Sequence, residues 1–266
     1  MQRPAPALWT LRAIVVLFIV FMLAPILVVV VISFTSAGYV AFPIPGVSLR
    51  WFQRILDYPP FLEGIRVSLE VAFGATAIAC LLGIPAALAL ARDDRRIATA
   101  VMTFLLSPLS IPMIVFGFAS LFFLSRIGLG LSLPALIIVH SCVCLPYVVR
   151  IVAASYRSLP PSLEEMAEIL GASRWRALWH IVLPLLRPAI IGGMLFSFLV
   201  SFDNLPLSFF FGSPDTNTLP VVMLRYVEQQ FDPSIAALST VQLVVAVLIL
   251  ILVERLYGLD KLVISA

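Results

Sequence analysis

The chain has 266 residues, of which 62% are hydrophobic and only 12% are charged. Soluble domains average roughly 45–50% apolar and about 25% charged residues, so this composition excludes a water-soluble protein. The net charge of +3 is small and does not predict a nucleic-acid partner, whereas membrane lipid is expected to cover the apolar surface.

Six stretches are long and apolar enough to cross a membrane, for which about 20 mainly apolar residues are needed. Pro25, Pro85, Pro108 and Pro112 fall inside them and are interpreted as kinks. We therefore predict an all-α membrane protein that forms a single domain over residues 1–266. The six spans cover approximately residues 11–32, 67–91, 98–124, 131–155, 189–211 and 236–253.

The first stretch has an alternative interpretation as a cleaved signal peptide. Arg3 and Arg12 precede it, and the small residues Ser36, Ala37 and Gly38 follow it. Its apolar run over residues 13–32 is longer than the 7–15 residues or so of a signal core. A retained membrane helix is therefore favoured.

Positive residues indicate the orientation, because Lys and Arg are enriched in cytoplasmic segments. With both termini placed inside, twelve of the 17 positive residues lie in inner segments and five in outer ones. We therefore expect both termini to be cytoplasmic. The inner residues are Arg3, Arg12, Arg92, Arg95, Arg96, Arg150, Arg157, Arg174, Arg176, Arg187, Arg255 and Lys261.

His140 lies close to Cys142 and Cys144 within one apolar stretch. A metal site is the alternative to simple packing, but this set contains no carboxylate and would lie at lipid depth. Packing is the favoured interpretation, and no metal site is predicted.

The long cytoplasmic segment, approximately residues 156–188, is predicted to contain two short helices outside the bilayer. Ser162 and Glu165 have the spacing of a capping box, which predicts a helix start. Gly171 is suited to the left-handed backbone of a helix end. Ser173 is expected to cap the second helix, and Pro184 to mark the turn toward the next span.

The same segment resembles the "EAA" loop of binding-protein-dependent ABC permeases, the MetI-like family. That motif runs Glu-Ala-Ala, three residues, Gly, nine residues, Ile, one residue, Leu-Pro. This chain keeps every gap, with Met in place of the second alanine. The matching residues are Glu165, Met166, Ala167, Gly171, Ile181, Leu183 and Pro184.

The resemblance implies that residues 156–188 form a coupling loop that docks on a cytoplasmic ATPase. By analogy with the family, Glu165 is the ionic contact, Ala167 the close-packing position and Gly171 the hinge. Leu163, Met166 and Leu170 follow one another at helical intervals and are predicted to form an apolar stripe against that partner.

The chain has no P-loop of its own. Such a loop requires Gly-Lys followed by Ser or Thr, whereas the single lysine, Lys261, lies between Asp260 and Leu262. We therefore expect a non-catalytic subunit that binds no cofactor, with ATP and magnesium on partner subunits.

Asp203 is the most informative ionisable residue within a predicted span, because a charge at that depth by default marks a pathway or a pairing. Phe202 and Asn204 flank it, and the three are candidates for a substrate pathway that attracts a cation. The alternatives are a carboxylate that bonds free amides near Pro206 and a partner for an arginine of another subunit.

Further stretches are similar to the spermidine/putrescine branch of these permeases, namely residues 140–149, 201–204, 218–220 and 232–240. The resemblance implies import of a polyamine, with ferric iron or another small solute as the alternative. It also implies two ATPase subunits, a second and different permease chain, and a periplasmic or lipid-anchored solute-binding protein. The location implied is a prokaryotic cytoplasmic (inner) membrane.

Two other classes of protein are alternatives to the importer. An autonomous secondary transporter needs its own ion-coupling residues, but Asp203 is the one deep carboxylate and has no buried Lys or Arg beside it. A membrane scaffold without transport activity has no need of a correctly spaced coupling loop. Both are therefore weaker hypotheses than an importer subunit.

Overall fold

A computed structural model describes residues 6–257, so Arg3 and Lys261 of the charge pattern lie outside the described residues. Helices dominate this part of the chain, and its one pairing of the sheet type is an isolated bridge between Thr35 and Val47. The all-α prediction is confirmed. The helices are α1 (Pro6–Ser33), α2 (Arg50–Asp57), α3 (Pro59–Leu90), α4 (Arg96–Leu106), α5 (Met113–Arg126), α6 (Leu133–Ser158), α7 (Ser162–Ile169), α8 (Arg174–Ala177), α9 (Leu183–Phe202), α10 (Leu205–Phe210), α11 (Leu219–Gln229) and α12 (Ser234–Tyr257).

Five described helical segments are long and apolar enough to cross a membrane, and a sixth candidate is the bent pair α4 and α5. Pro25 and Pro85 lie inside the continuous helices α1 and α3. The five continuous segments are Leu8–Ser33, Pro59–Leu90, Leu133–Ser158, Arg174–Phe202 and Ser234–Arg255.

The third predicted span, residues 98–124, is wrong as a single kinked helix. α4 continues into a 3₁₀ turn at Ser107–Ser110, and α5 then leaves at 106° to it. Two prolines explain the break, because Pro108 and Pro112 each lack a backbone N–H. Ile111, directly before Pro112, has an extended backbone (φ −93°, ψ 131°), as the residue before a proline prefers.

The fifth predicted span, residues 189–211, is also displaced. The helix begins earlier, at Arg174, and ends at Phe202. The chain then breaks at Asp203 and Asn204 before the short helix α10. The apolar residues after the break belong to α10, so hydropathy alone extends the span too far.

Within the described residues the chain divides into two compact units, residues 6–62 with 223–249 and residues 63–222 with 250–257. The single-domain assignment stays a prediction. In the first unit, the indole N–H of Trp51 donates to the carbonyl oxygen of Thr35 at 2.9 Å. The rings of Tyr58, Phe61 and Tyr226 pack together there, with centroids 4.8 to 5.2 Å apart.

Helix α6 is central to the second unit, and buried side chains recur along it from Ala135 to Ala153. Small residues of α3 line one side of it, including Ala75, Ala79 and Ala87. Val148 and Val152 of α6 pack against them, as does Leu186 of α9. Small side chains allow membrane helices to approach closely, which favours van der Waals packing.

Candidate functional site

Helix α7 begins the predicted coupling loop, but not through a capping box. Its N-cap is Pro161, Ser162 is its first residue, and the cap has no side-chain hydrogen bond. The capping-box prediction is therefore wrong. The amide of Leu163 instead donates to the carbonyl of Pro160, and the amides of Glu164 and Glu165 to that of Pro161. Backbone carbonyl oxygens thus accept the hydrogen bonds from the first amides of α7 that a serine side chain would otherwise accept.

Gly171 ends α7 as predicted. Its φ is +83°, in the left-handed region where glycine carries no steric cost. The amide of Ala172 donates to the carbonyl of Ala167 at 2.9 Å, and that of Gly171 to Glu168 at 3.0 Å. This pair of bonds is the Schellman motif, which satisfies the last carbonyls of the helix.

Ser173 caps α8 as predicted, since its hydroxyl accepts from the amide of Arg176 at 3.3 Å. The second helix is not separate, however. A π-helical turn at Leu178–Val182 joins α8 to α9, so the predicted turn at Pro184 is wrong. Pro184, which lacks a backbone N–H, lies at the second position of α9, directly after the π-helical turn. Ile181, Leu183 and Pro184 are half-buried along this joint.

The outward face of α7 is apolar with an acidic residue beside it. Met166 is 60% exposed, Ile169 83% and Leu170 85%, and the Glu165 side chain is also exposed. Leu163 is half-buried and Ala167 buried. The exposed apolar residues are therefore Met166 and Ile169 of α7 and its C-cap Leu170, whereas the stripe predicted from the sequence comprised Leu163, Met166 and Leu170.

Glu164 has different surroundings from its neighbour Glu165. Its carboxylate accepts from the Arg92 guanidinium at 2.6 Å and from the Tyr156 hydroxyl at 3.1 Å. Sequence reasoning missed this contact because 72 residues separate Arg92 from Glu164. The one available signal was the helical period, which places Glu164 and Glu165 about 100° apart around α7.

Asp203 and Asn204 form the break between α9 and α10. The side-chain oxygen of Asn204 accepts from the amide of Leu207 at 3.1 Å and so caps α10. The Asp203 side chain is exposed, and it has no ion pair within residues 6–257. One alternative for Asp203 was a carboxylate that bonds free amides near Pro206. The structure gives that role to Asn204.

A wide-open, shallow cavity of about 340 Å³ lies beside this break. Asp203 contributes the one ionisable side chain among its lining residues. Phe202 does not line it and instead stacks on Phe198, with ring centroids 5.8 Å apart. Phe202, predicted to be part of a substrate pathway, is therefore not part of the cavity wall. The lining residues are Met113, Leu199, Val200, Asp203, Asn204 and Pro206.

Behind the break, His140 joins three helices. Its Nδ1 lies 2.9 Å from the Ser201 hydroxyl of α9, and its Nε2 lies 3.2 Å from the Ser208 hydroxyl of α10. Both ring nitrogens of this buried residue of α6 therefore have partners. Among residues 6–257, no three His, Cys, Asp or Glu side chains lie close enough together to hold a metal ion.

Helix α10 is held against α5 at a glycine. A Cβ built on Gly117 would lie 3.0 Å from the ring of Phe210 and 3.3 Å from the Pro206 carbonyl oxygen. The close approach of α5 and α10 thus depends on a missing side chain. It places Met113 of α5 and Asp203 on the same cavity.

Comparisons with known proteins give a consistent result. The family profile described as "Binding-protein-dependent transport system inner membrane component" matches residues 79–259. The chain is 31% identical to the putrescine transport system permease protein PotI of Escherichia coli (strain K12) over 227 residues, 83% of this chain and 80% of the relative. It is 29% identical to the spermidine/putrescine transport system permease protein PotC of the same strain over 241 residues, 91% of this chain and 90% of the relative.

One solved structure, a bacterial ABC transporter involved in the import of the acidic polysaccharide alginate, superimposes with a TM-score of 0.74. The match covers 96% of this chain and 98% of that one, at 16% identity. At this level of identity the likeness concerns the fold.

Proposed function

Because the chain belongs to the family of binding-protein-dependent transport system inner membrane components, it is a permease subunit of an ABC importer, and we propose that its solute is a polyamine such as spermidine or putrescine. The relatives PotI and PotC, whose names state putrescine and spermidine/putrescine transport, support this proposal. The observation that carries it is the unpaired carboxylate of Asp203 at the cavity between α5, α9 and α10.

The chemistry of Asp203 favours an organic cation over an anion. A carboxylate within an apolar region lowers its free energy by pairing with a positive group. Among the described residues no Lys or Arg is paired with Asp203, so the ammonium group of the solute takes that position. The apolar lining, Met113, Leu199, Val200 and Pro206, suits the methylene carbons between the amines of a polyamine.

The coupling loop is the proposed contact with an ATPase subunit. Met166, Ile169 and Leu170 supply an exposed apolar surface, and Glu165 supplies a free carboxylate beside it. Burial of such a helix face in a groove is a common mode of recognition. Ala167 and Gly171 shape the helix, while Ile181, Leu183 and Pro184 join it to α9.

The complete importer is proposed to contain two ATPase subunits, a second and different permease chain, and a periplasmic or lipid-anchored binding protein. ATP and magnesium bind to the ATPase subunits, and this chain is non-catalytic. It spans the bacterial inner membrane several times, in contact with lipid, and both of its termini are proposed to be cytoplasmic.

The test is uptake of labelled putrescine and spermidine into proteoliposomes that hold the complete importer, with ferric iron and an oxyanion as competing solutes. We predict that Asp203→Asn lowers polyamine uptake at saturating binding protein about tenfold or more. Hydrogen bonds to charged groups contribute about 1.5–3 kcal/mol, and 1.4 kcal/mol corresponds to tenfold. Asp203→Glu, which keeps the charge, should retain more uptake.

Asp57→Asn is the matched control, since Asp57 ends α2 and its side chain is exposed. Its uptake should equal that of the unchanged protein. Transport of ferric iron or the oxyanion without polyamine transport would refute the proposed solute. Normal polyamine uptake by Asp203→Asn would remove Asp203 from the pathway.

A further inference from the structure

The turn after α3 holds an arginine that is bound to the coupling loop. The Arg92 guanidinium donates through Nη1 to Glu164 at 2.6 Å, and through Nη2 to the carbonyl oxygens of Tyr156 at 2.9 Å and Leu159 at 2.6 Å. The Arg92 and Glu164 side chains are 26% and 33% exposed, so the pair is partly shielded from water. Charge-assisted bonds of this kind are stronger than neutral ones.

Tyr156 completes the cluster. Its ring lies 4.0 Å from the guanidinium carbon of Arg92, within the range of a cation–π contact. Its hydroxyl donates to both carboxylate oxygens of Glu164, at 3.1 and 3.2 Å. Arg92, Tyr156 and Glu164 therefore each contact the other two, and we call them the Arg92 cluster.

A second bond runs in the opposite direction. Arg157 of α6 donates through Nε to the Ala91 carbonyl oxygen at 2.6 Å. The end of α6 and the end of α3 are thus joined by arginines from both sides. Arg92 also binds carbonyls at the end of α6, where a positive charge is favourable because helix C-termini carry partial negative charge.

The next charged residues do not compete for Arg92. Asp93 is paired with Arg95 at 2.5 Å. Hydrogen bonds from Arg95 lower the pKa of Asp93 to about 2, so this carboxylate stays ionised and bound to Arg95 at neutral pH. The Arg92 guanidinium is therefore directed to α6 and α7.

The Arg92 cluster holds the first turn of helix α7, whereas Glu168 near its other end pairs with the exposed Arg174 of α8 at 3.1 Å. Helix α7 has eight residues and no side-chain cap at its first turn. Ala167 is the buried residue of its core-facing side, so little apolar burial fixes the helix. The bond that Arg92 donates to Glu164 thus links the first turn of α7 to the turn after α3.

We propose that Arg92 is the positioning residue that transmits the movement of α7 to the membrane helices α3 and α6, through its contacts with Glu164 and Tyr156. This rests on the proposed role of α7 as the ATPase contact. When the ATPase subunits move α7, the Arg92 cluster carries that displacement to both helices. Without the Arg92 cluster, α7 still binds the ATPase subunit, but its movement is not passed on to α3 and α6.

The expected signature is uncoupling. Arg92→Gln should retain ATPase binding and hydrolysis while the amount of solute transported per ATP falls about fivefold or more, the lower end of typical coupling effects. Arg92→Lys keeps the charge but lacks the planar guanidinium that binds Glu164 and the two carbonyl oxygens together. Its transport of solute per ATP should lie between that of Arg92→Gln and that of the unchanged protein. The exchange Arg92→Glu with Glu164→Arg should restore part of the loss.

The measurement takes uptake and hydrolysis from the same proteoliposomes of the complete importer. Arg95→Gln is the matched control, because it removes an exposed ion pair from the same turn and should leave the ratio unchanged. The proposal is wrong if Arg92→Gln transports as much solute per ATP as the unchanged protein. It is also wrong if uptake and hydrolysis fall together with loss of the ATPase subunit, which is the result expected of a merely structural residue.

A second measurement does not depend on the solute. Hydrogen exchange of the α7 amides in the complete importer should be at least about fivefold faster in Arg92→Gln, and slower again in the charge exchange. Unchanged exchange would refute the proposal even if the solute is not a polyamine. Absence of polyamine-stimulated hydrolysis in the unchanged protein would instead refute the proposed function alone.

Discussion

At the scale of single residues, Gly171 shows how one backbone conformation shapes the coupling loop. Its φ of +83° allows the Schellman bonds at the end of α7, and no atom lies within 4 Å of a Cβ built there. An alanine at this position would therefore meet no neighbour. Its cost is the left-handed backbone alone, about 1–2 kcal/mol.

We predict that Gly171→Ala lowers the amount of solute transported per ATP. The alanine would be strained in the left-handed backbone, and the end of α7 would shift to relieve that strain. Gly128→Ala is the matched control, since Gly128 has φ +86° and equally open surroundings in the turn after α5. Thermal unfolding should show similar losses of stability for both variants. An equal effect of the two on transport per ATP would show that Gly171 has no special role in coupling.

The structural roles of the residues in the coupling loop could be predicted from the sequence for some positions but not for others. The positions of Gly171 and Ser173 followed from local chemistry, because a helix end and a helix cap depend on a few neighbouring residues. The capping box of Ser162 failed because Pro160 and Pro161 already form the helical turn. The inward direction of Glu164 depends on Arg92, a distant residue that no local pattern identifies.

At the scale of elements, α7 presents Met166, Ile169 and Leu170 outward. Burial of a Leu or Ile side chain contributes about 1.5–3 kcal/mol, and every 1.4 kcal/mol is a tenfold change in affinity. We therefore predict that Ile169→Ser with Leu170→Ser weakens binding of the ATPase subunit at least tenfold, as measured by titration of that subunit onto the permease in detergent.

Leu56→Ser is a suitable control for this double variant. Leu56 is 69% exposed on α2, a helix of similar length that lies outside the coupling loop. Its ATPase affinity should not change. If the double variant binds as tightly as the control, the outward face of α7 is not the contact surface.

Element boundaries were the weakest sequence predictions, for identifiable reasons. Hydropathy recognised the apolar stretches, but it does not distinguish a continuous helix from a bent pair such as α4 and α5. Pro184 predicted a turn that the structure replaces with a π-helical turn before it. In both cases proline marked an irregularity, and packing decided its form.

At the scale of the whole molecule, the arginine distribution predicts the orientation in the membrane. We predict that Ser158→Cys, at the end of α6, reacts with an impermeant maleimide only in inverted vesicles. Asp215→Cys, before α11, should react only in intact spheroplasts. Both positions are exposed, and Cys80, Cys142 and Cys144 would first be replaced by serine because Cys142 is exposed. Labelling of Ser158→Cys from outside would reverse the proposed topology.

The fold class was fully accessible from sequence, because composition excludes a soluble protein and span length follows from bilayer thickness. The cavity at Asp203 was only partly accessible. An acidic residue in an apolar stretch is visible in the sequence, but its position beside Met113 depends on the bend between α4 and α5. The capping role of Asn204 likewise depends on the break at the end of α9.

The contrast between α1 and α6 has a consequence for the evolution of this chain. None of the most apolar 18-residue window of α1 is buried within the chain, against 61% of that in α6. The window of α1 must stay apolar and long enough to cross a membrane, but it has no buried side chain within the chain that a substitution would disturb. Substitutions in α6 must fit neighbours on several sides. The family profile, which starts at residue 79, includes α6 but not α1.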